Sequence, residues 1–229
     1  MRVYWSKFWR EQENVSGINE NKIYYLGNPA HDGHIEDGNK RIAKYFSSST
    51  IKIQRIIYTT QPISISYGVA YKNIFNKIIC NFIKSHKSIE LIVKVHPRDD
   101  QEYYIKFFKE LNNVTFIEKA ELPTLIKSSD LLITGWSMTA YEALVLGVPV
   151  IAINPRSIFN YKNRYPDDSV PVAASLSELN GLYSDICSPN HLNQFVDERN
   201  KFLIWNNTYA DNRSAYRVAQ IIKKTLNES

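Results

Sequence analysis

The stretch "DLLITGWSMTAYEALVLGVPVIAIN", Asp130 to Asn154, decides how the chain is read. Two apolar runs, Leu131–Thr134 and Val148–Ile153, enclose a helical pattern. Each run is short and continuously apolar, which suits a strand buried on both faces. The helix between them opens on Gly135-Trp136-Ser137-Met138-Thr139, small and rich in hydroxyls. It closes on Gly147, and Pro149 opens the next run. Strand, helix and strand in so few residues make a βαβ unit. A helix start carries free N–H groups and the positive end of the helix dipole, so a phosphate can sit there. Ser137 and Thr139 also suit plain helix capping.

Working outward, the same alternation continues. "RIIYTTQP" (55–62), "ELIVKVHPRD" (90–99) and "NVTFIE" (113–118) read as strands. "YGVAYKNIFNKIICNFIKSH" (67–86) places Ile74, Ile78 and Phe82, and Phe75, Ile79 and Ile83, at helical spacing. "QEYYIKFFKELN" (101–112) and "LPTLIKSSD" (122–130) are helical, Pro123 being acceptable in a first turn. Upstream, "KIYYLGNPAHDG" (22–33) is a short strand broken at Gly27-Asn28-Pro29, and "EDGNKRIAKYF" (36–46) is a short helix. Downstream, "PRSIFNYKNRYPDDS" (155–169) is an irregular loop, followed by helices at 176–186, 190–205 and 210–229. The expected fold is α/β: a single doubly wound, parallel-sheet, Rossmann-like domain with its C-terminal helices packed back on it.

Composition narrows the partners. The chain has 229 residues, 44% hydrophobic and 22% charged, ordinary for a globular protein. A net charge of +5 and a pI near 9.0 favour anionic partners. The 15 Tyr and 10 Phe serve a core more readily than base stacking, and no nucleic-acid motif accompanies them, so no nucleic-acid partner is expected. Cys80 and Cys187 match no zinc or redox spacing. No run approaches the ~18 apolar residues of a membrane span. The N-terminus lacks an apolar signal region, so a cytoplasmic location is expected. The basic Lys223-Lys224 end of the last helix is a solvated helix end, with weak affinity for the inner membrane face as the sharper alternative.

In an open parallel sheet ligands bind beyond the carboxyl ends of the strands. Thr60 and Gln61 follow the first central strand, and His96-Pro97-Arg98-Asp99 the second. Lys119 follows the third, and Gly135 to Thr139 the fourth. This set suits a diphosphate or a nucleoside monophosphate, with no cluster fit for a metal and no cofactor expected. Glu142, one turn into the helix, can accept from a ribose diol. His31 and Asp32 read as a turn, not a catalytic pair. Asp167-Asp168 beside Arg164 reads as a solvated loop, not a metal site.

"LIVKVHPRD", "SSDLLITGWSMTAYEALVLGVPVIAIN" and "IYYLGNPAHD" resemble the C-terminal, nucleotide-binding half of GT-B glycosyltransferases. The nearest resemblance is to enzymes of bacterial surface polysaccharides: capsule and lipopolysaccharide transferases, CDP-glycerol glycerophosphotransferases and UDP-N-acetylglucosamine 2-epimerases. It covers about residues 22–225 and implies a metal-independent transferase that holds a nucleotide-sugar or CDP-alcohol donor. It also implies donor-phosphate roles for His96, Arg98, Gly135, Ser137 and Thr139, and a ribose or sugar role for Glu142. Thr60, Gln61 and Lys119 would belong to the base or phosphate loops. Two departures stand out. The epimerases carry a Gly-Gly pair where this chain has Gly135-Trp136. The CDP-glycerol enzymes carry adjacent hydroxyls where this chain has Ser137-Met138-Thr139.

The family's acceptor domain precedes the "GNP" segment, which here begins close to the start of the chain. Residues 1–22 therefore read as an interdomain segment and 23–229 as the nucleotide-binding domain. Transfer is expected to need an acceptor domain beyond this one, a separate acceptor-domain chain being one candidate partner. The alternatives are a non-catalytic nucleotide-binding subunit and an epimerase-like protein. Tyr4, Trp5, Phe8 and Trp9 are expected to pack on a surface that this chain does not supply.

Overall fold

The computed structural model describes residues 2–13, 20–158, 165 and 169–227. Two short strands, β1 (Arg2–Tyr4) and β2 (Ile23–Tyr25), pair in parallel as a separate ribbon. The main sheet holds β3 (Arg55–Thr59), β4 (Glu90–Lys94), β5 (Val114–Ile117), β6 (Leu131–Thr134), β7 (Val150–Ile153) and β8 (Val172–Ala173). All its pairings are parallel, in the spatial order β5-β4-β3-β6-β7-β8. The chain winds outward from β3 through β4 to β5, returns to β6 beside β3, and then winds the other way. The switch point thus lies between β3 and β6, where Thr59 is paired with Thr134.

The helices divide by the handedness of these crossovers. α3 (Ile63–Ser85) and α4 (Gln101–Phe107) connect strands running one way; α5 (Leu122–Lys127) and α6 (Thr139–Val145) connect strands running the other. Right-handed connections place the two sets on opposite faces of the sheet. Accordingly α7 (Leu176–Ile186) packs on α3. α8 (His191–Asn207) packs on α6 and on α2 (Asp32–Ser48). Every residue of β6 and β7 is buried, which is why these strands read as unbroken apolar runs. A fully buried Leu, Ile or Val contributes roughly 1.5–3 kcal/mol each.

α6 is only seven residues long and ends against α8 and α2. Gly147 follows it at φ +70, the left-handed conformation that closes a helix and that glycine adopts without strain. The buried Arg199 guanidinium of α8 donates from Nε to Leu144 O and from Nη2 to Val145 O, both at 2.7 Å. Its Nη1 donates to Asn39 Oδ1 of α2 at 3.0 Å. One cation thus satisfies the end of α6 and joins three helices.

Several boundaries differ from the sequence reading. The helix expected at 36–46 begins at Asp32, behind a 3-10 turn at Pro29–His31 whose Ala30 N–H is accepted by Asn28 Oδ1. The helix expected from 67 begins at Ile63, with a break at Gly68 (φ 80, ψ 162). β8, two residues long, carries too little pattern to be seen. Asp167, Asp168 and Arg164 lie outside the described residues.

The N-terminal aromatics do not wait for a surface outside the chain. α1 (Lys7–Gln12) packs on α8. Trp9 Nε1 donates to Asn206 O at 3.0 Å, the Phe8 and Trp205 rings lie 3.9 Å apart, and Tyr4 is buried. α9 (Ser214–Asn227) starts at the other end of this cluster. Asp32 accepts the Ser214 and Ala215 N–H groups at 2.9 and 2.8 Å, capping α9 from a distant point in the chain. Asp32 is thus a structural cap, as a turn residue would be.

His31, beside Asp32, is pushed down to about 4, first by burial and then by the neighbouring His34. It is neutral in the folded protein, whereas an unfolded chain protonates it near 6.5. Stability is therefore complete above pH about 6.5 and falls as pH drops towards 4, by roughly 3 kcal/mol in total. Urea unfolding of wild type and His31→Phe at neutral pH and near pH 4.5 checks this. The stability gap between them should move in the variant's favour at low pH; an unchanged gap assigns the pH dependence elsewhere.

Candidate functional site

At the switch point the ends of β3 and β6 present hydroxyls to one another. Thr59 Oγ1 lies 3.0 Å from Thr134 Oγ1 and 2.8 Å from Thr139 Oγ1. Thr134 Oγ1 donates to Thr59 O at 3.3 Å, and Thr139 Oγ1 donates to Ser137 Oγ at 3.0 Å. Ser137 Oγ also accepts the Thr139 N–H at 3.2 Å, tying down the first turn of α6. Each donor in this chain is taken up by the next oxygen, ending at Ser137. Ser137 Oγ thus accepts twice from Thr139, once from its N–H and once from its hydroxyl. The Tyr165 hydroxyl donates to Ser137 O at 3.1 Å and holds the same residue from the other side.

His96 sits next to this network. Its N–H donates to Thr60 Oγ1 at 2.9 Å, so Thr60, buried, faces the His96 backbone and not open solvent. The Arg98 N–H donates to His96 Nδ1 at 3.1 Å. In the neutral ring that acceptor role puts the proton on Nε2. Burial, and after it the Arg98 charge, hold the His96 pKa below its ordinary value, so the ring is neutral at pH 7. A half-buried imidazole with Nε2–H as its donor is the outcome. Arg98 itself is exposed.

The loop carrying His96 is anchored by a buried ion pair. Lys72 Nζ of α3 meets Asp99 Oδ1 at 2.5 Å, with side chains 5% and 4% exposed. The Tyr104 hydroxyl donates to Asp99 Oδ2 at 2.6 Å, and the Asp99 N–H closes the turn on His96 O at 2.8 Å. Lys72 Nζ also stands 4.1 and 4.5 Å from the ring centres of Tyr103 and Tyr104, a cation–π arrangement. Burial, with the Asp99 carboxylate beside it, drives the Tyr104 phenol far up.

Gly135 is a close-approach residue. A Cβ there would stand 2.5 Å from Gln61 Oε1 and 3.3 Å from the Phe75 ring. Gln61, Pro62, Ile63, Ser66, Tyr67 and Trp136 line a cavity of about 260 Å³ at this edge. Glu142, in the first turn of α6, is half-buried, and burial raises its carboxyl pKa.

The structure thus gathers Thr60, Gln61, His96, Gly135, Ser137 and Thr139 around the ends of β3, β4 and β6. Lys119 is exposed beyond β5, the edge strand, two strands from β3. Thr59, Thr134 and Lys72 belong to the assembly although the sequence reading gave them no role in it. The doubled hydroxyls of Thr59-Thr60 at a strand end were the available signal. Among the described residues, no three of His, Cys, Asp or Glu gather as a metal site. Nor is any helix among them long and apolar enough to cross a membrane.

A doubly wound parallel sheet with polar strand ends at its switch point defines the chain as a Rossmann-like domain of the kind that forms half of a GT-B fold. The chain belongs to the family described as "Protein of unknown function (DUF354)", which matches residues 32–175. No curated protein gives a significant sequence match. Among solved structures, the UDP-GlcNAc 2-epimerase of Methanocaldococcus jannaschii, in complex with UDP-GlcNAc and UDP, is 20% identical with a TM-score of 0.59. That alignment covers 97% of this chain and 60% of the epimerase. A 2-epimerase described as putative, from Listeria monocytogenes, gives 16% identity and a TM-score of 0.65, covering 99% and 60%. The wall teichoic acid polymerase TagF gives 15% identity and a TM-score of 0.59, covering 99% and 57%. At these identities the likeness is one of fold. The chain spans about 60% of the length of these structures.

The buried pair gives a stability expectation. Lys72→Met leaves the buried Asp99 carboxyl without its cation, a loss of about 3–5 kcal/mol. Lys72→Met combined with Asp99→Leu removes both charges and should recover part of that loss. Chemical denaturation of the three proteins checks the order; equal losses would place the stabilisation in side-chain packing alone.

Proposed function

We propose that this domain holds the diphosphate of a nucleotide-activated donor and serves as the donor half of a metal-independent transferase. The group moved would be a sugar or a glycerophosphate destined for a surface polysaccharide of the capsule or lipopolysaccharide type. One observation carries the reading: the Thr59, Thr134, Thr139 and Ser137 hydroxyls form one network at the sheet edge, beside the neutral Nε2–H donor of His96. Hydroxyls and a neutral imidazole at a sheet edge, with Arg98 and the N–H groups of the Gly135–Thr139 loop nearby, suit an oxyanion whose charge grows as a phosphate leaves. Glu142 is assigned to the ribose, and Lys119 to the rim near the base. That two structures of like fold are described with UDP-GlcNAc supports a nucleotide sugar as ligand.

A second reading rests on the partial coverage of those structures. The domain would then be a non-catalytic nucleotide-binding part that completes its active site with a separate acceptor domain. An epimerase-like role is the third, and Gly135-Trp136 argues against it. We place the work in the cytoplasm, at the inner face of the membrane, where a net charge of +5 favours anionic surfaces.

Titration calorimetry with UDP, CDP, GDP and ADP in the presence of EDTA tests the central claim. At least one should bind. His96→Ala and Ser137→Ala should each weaken it by roughly tenfold to over a hundredfold, the range for a hydrogen bond to a charged group. Melting must be followed alongside, since Ser137→Ala also loosens the first turn of α6. Variants that melt early yet bind normally would make both residues structural, and silence from every nucleotide would remove the proposal.

A further inference from the structure

The last helix presents an apolar stripe that the described residues leave uncovered. α9 runs from Ser214 to Asn227, about 21 Å at 1.5 Å per residue. It is held at its first turns. Asp32 accepts the Ser214 and Ala215 N–H groups, and Arg217 donates to Leu26 O at 3.1 Å and pairs with Asp211 at 2.7 Å. Among the described residues its main contact with another element is the 3-10 turn at Pro29–His31. Burial marks the side turned to the protein: Ser214 is buried, and Val218 and Ile221 are half-buried. A second stripe, about a quarter-turn round the helix, holds Ala215, Ala219, Ile222 and Leu226, which fall on one helix face. All four are exposed, Ile222 at 49% and Leu226 at 72%. Tyr216 and Lys223 border this stripe on its outer side. Tyr216 is exposed, and the Arg213 guanidinium stands 5.4 Å from its ring centre. Between Ser214 and Asn227 there is no Asp or Glu, whereas Arg217, Lys223 and Lys224 are cations.

From these observations we infer that the stripe docks on an anionic lipid bilayer, with α9 lying in the headgroup layer and Ile222 and Leu226 turned to the acyl chains. The inference gives a surface to the membrane location proposed above and does not depend on the nucleotide site. Three observations select lipid over a protein partner. The stripe is four side chains, two of them alanine, far short of the ~800 Å² that a stable protein interface buries on each partner. A bilayer adapts to any shape and sets no such minimum. The helix carries charge of one sign only, opposite to that of anionic headgroups. The border also has residues suited to the boundary between water and acyl chains. A tyrosine places its polar tip there, and a lysine lays its stem along the apolar layer while its ammonium stays among the headgroups. Helices of this kind bind in the plane of the interface, through apolar area and charge together. Two large apolar side chains give a weak, reversible attachment, so the charge decides whether it holds.

Sedimentation of the full chain with vesicles tests this, using phosphatidylcholine alone and phosphatidylcholine mixed equally with phosphatidylglycerol. Binding is expected to the mixed vesicles and not to the neutral ones. Most of it should be lost as salt rises from about 0.1 M to about 1 M, where the Debye length shrinks from about 10 Å to about 3 Å. Lys223→Glu should weaken binding roughly tenfold. Ile222→Ser combined with Leu226→Ser keeps the net charge of +5 and should abolish it. Both variants alter exposed side chains and should leave the melting temperature and nucleotide titrations unchanged. If the double serine variant sediments with vesicles as well as wild type does, the overall charge explains the binding and the inference falls. Equal binding of wild type to neutral vesicles overturns the anionic assignment. Indifference to both kinds of vesicle overturns the lipid partner, as does a wild-type dimer that the double variant dissolves, which would assign the stripe to a second copy. Each of these failures leaves the nucleotide reading standing.

Discussion

The Arg199 guanidinium, sunk among α2, α6 and α8, is the contact on which the arrangement of the site depends. α6 has seven residues, too few to hold itself together by its own ladder. Arg199 donates to Val145 O and to Leu144 O, which also accepts the Gly147 N–H at 3.1 Å, and its charge opposes the negative end of the helix dipole. Burial lowers the Arg199 pKa to about 10, so the group stays charged at neutral pH. Fixing the C-terminal end of α6 fixes its N-terminal end, where Ser137, Thr139 and Glu142 are presented. The helix that carries the most chemistry is held by a residue far from it in sequence.

The other half of the site is held from the opposite face. Lys72 and Asp99 tie the His96 turn to α3, and Tyr104 completes the carboxylate's bonding. A buried ion pair adds little net stability over an apolar pair. Its geometry is directional, though, and it sets where the turn after β4 lies against β3. The two anchors, one on each face, bring loops from separate strands to a common edge. The edge itself is uncharged at its centre: a neutral histidine, a chain of hydroxyls, and Gly135 without a side chain.

Much of the fold was legible because the central strands are short and unbroken in their apolar character. Only strands buried on both faces need to be so. Gly147 marked the end of α6 correctly, since the structure uses its left-handed conformation there. What stayed hidden had physical causes. β1 and β8 are two or three residues long and carry no period. Lys72 lies inside an apolar helical pattern and looks like a solvated break in it. Arg199 sits in "NQFVDERNKF" and looks like one charge among several. The pairing of Thr59 with Thr134 depends on register between strands 75 residues apart, which no local window contains. The N-terminal aromatics misled for the same reason, since their partners lie at the other end of the chain.

That last arrangement governs the order in which the protein can be completed. Trp9 bonds to Asn206, Trp5 O accepts from Thr208 Oγ1, and Leu26 O accepts from Arg217 Nε; the sequence separations are 197, 203 and 191 residues. On a ribosome this N-terminal segment is made well before its partners in α8 and α9. Tyr4, Trp5, Phe8 and Trp9 are therefore made long before α8, on which α1 packs, and the six-stranded sheet can form in between. The two pieces make up a clasp that closes only once α8 and α9 have been made. Until then its aromatic half is a sticky surface that the cell must shield.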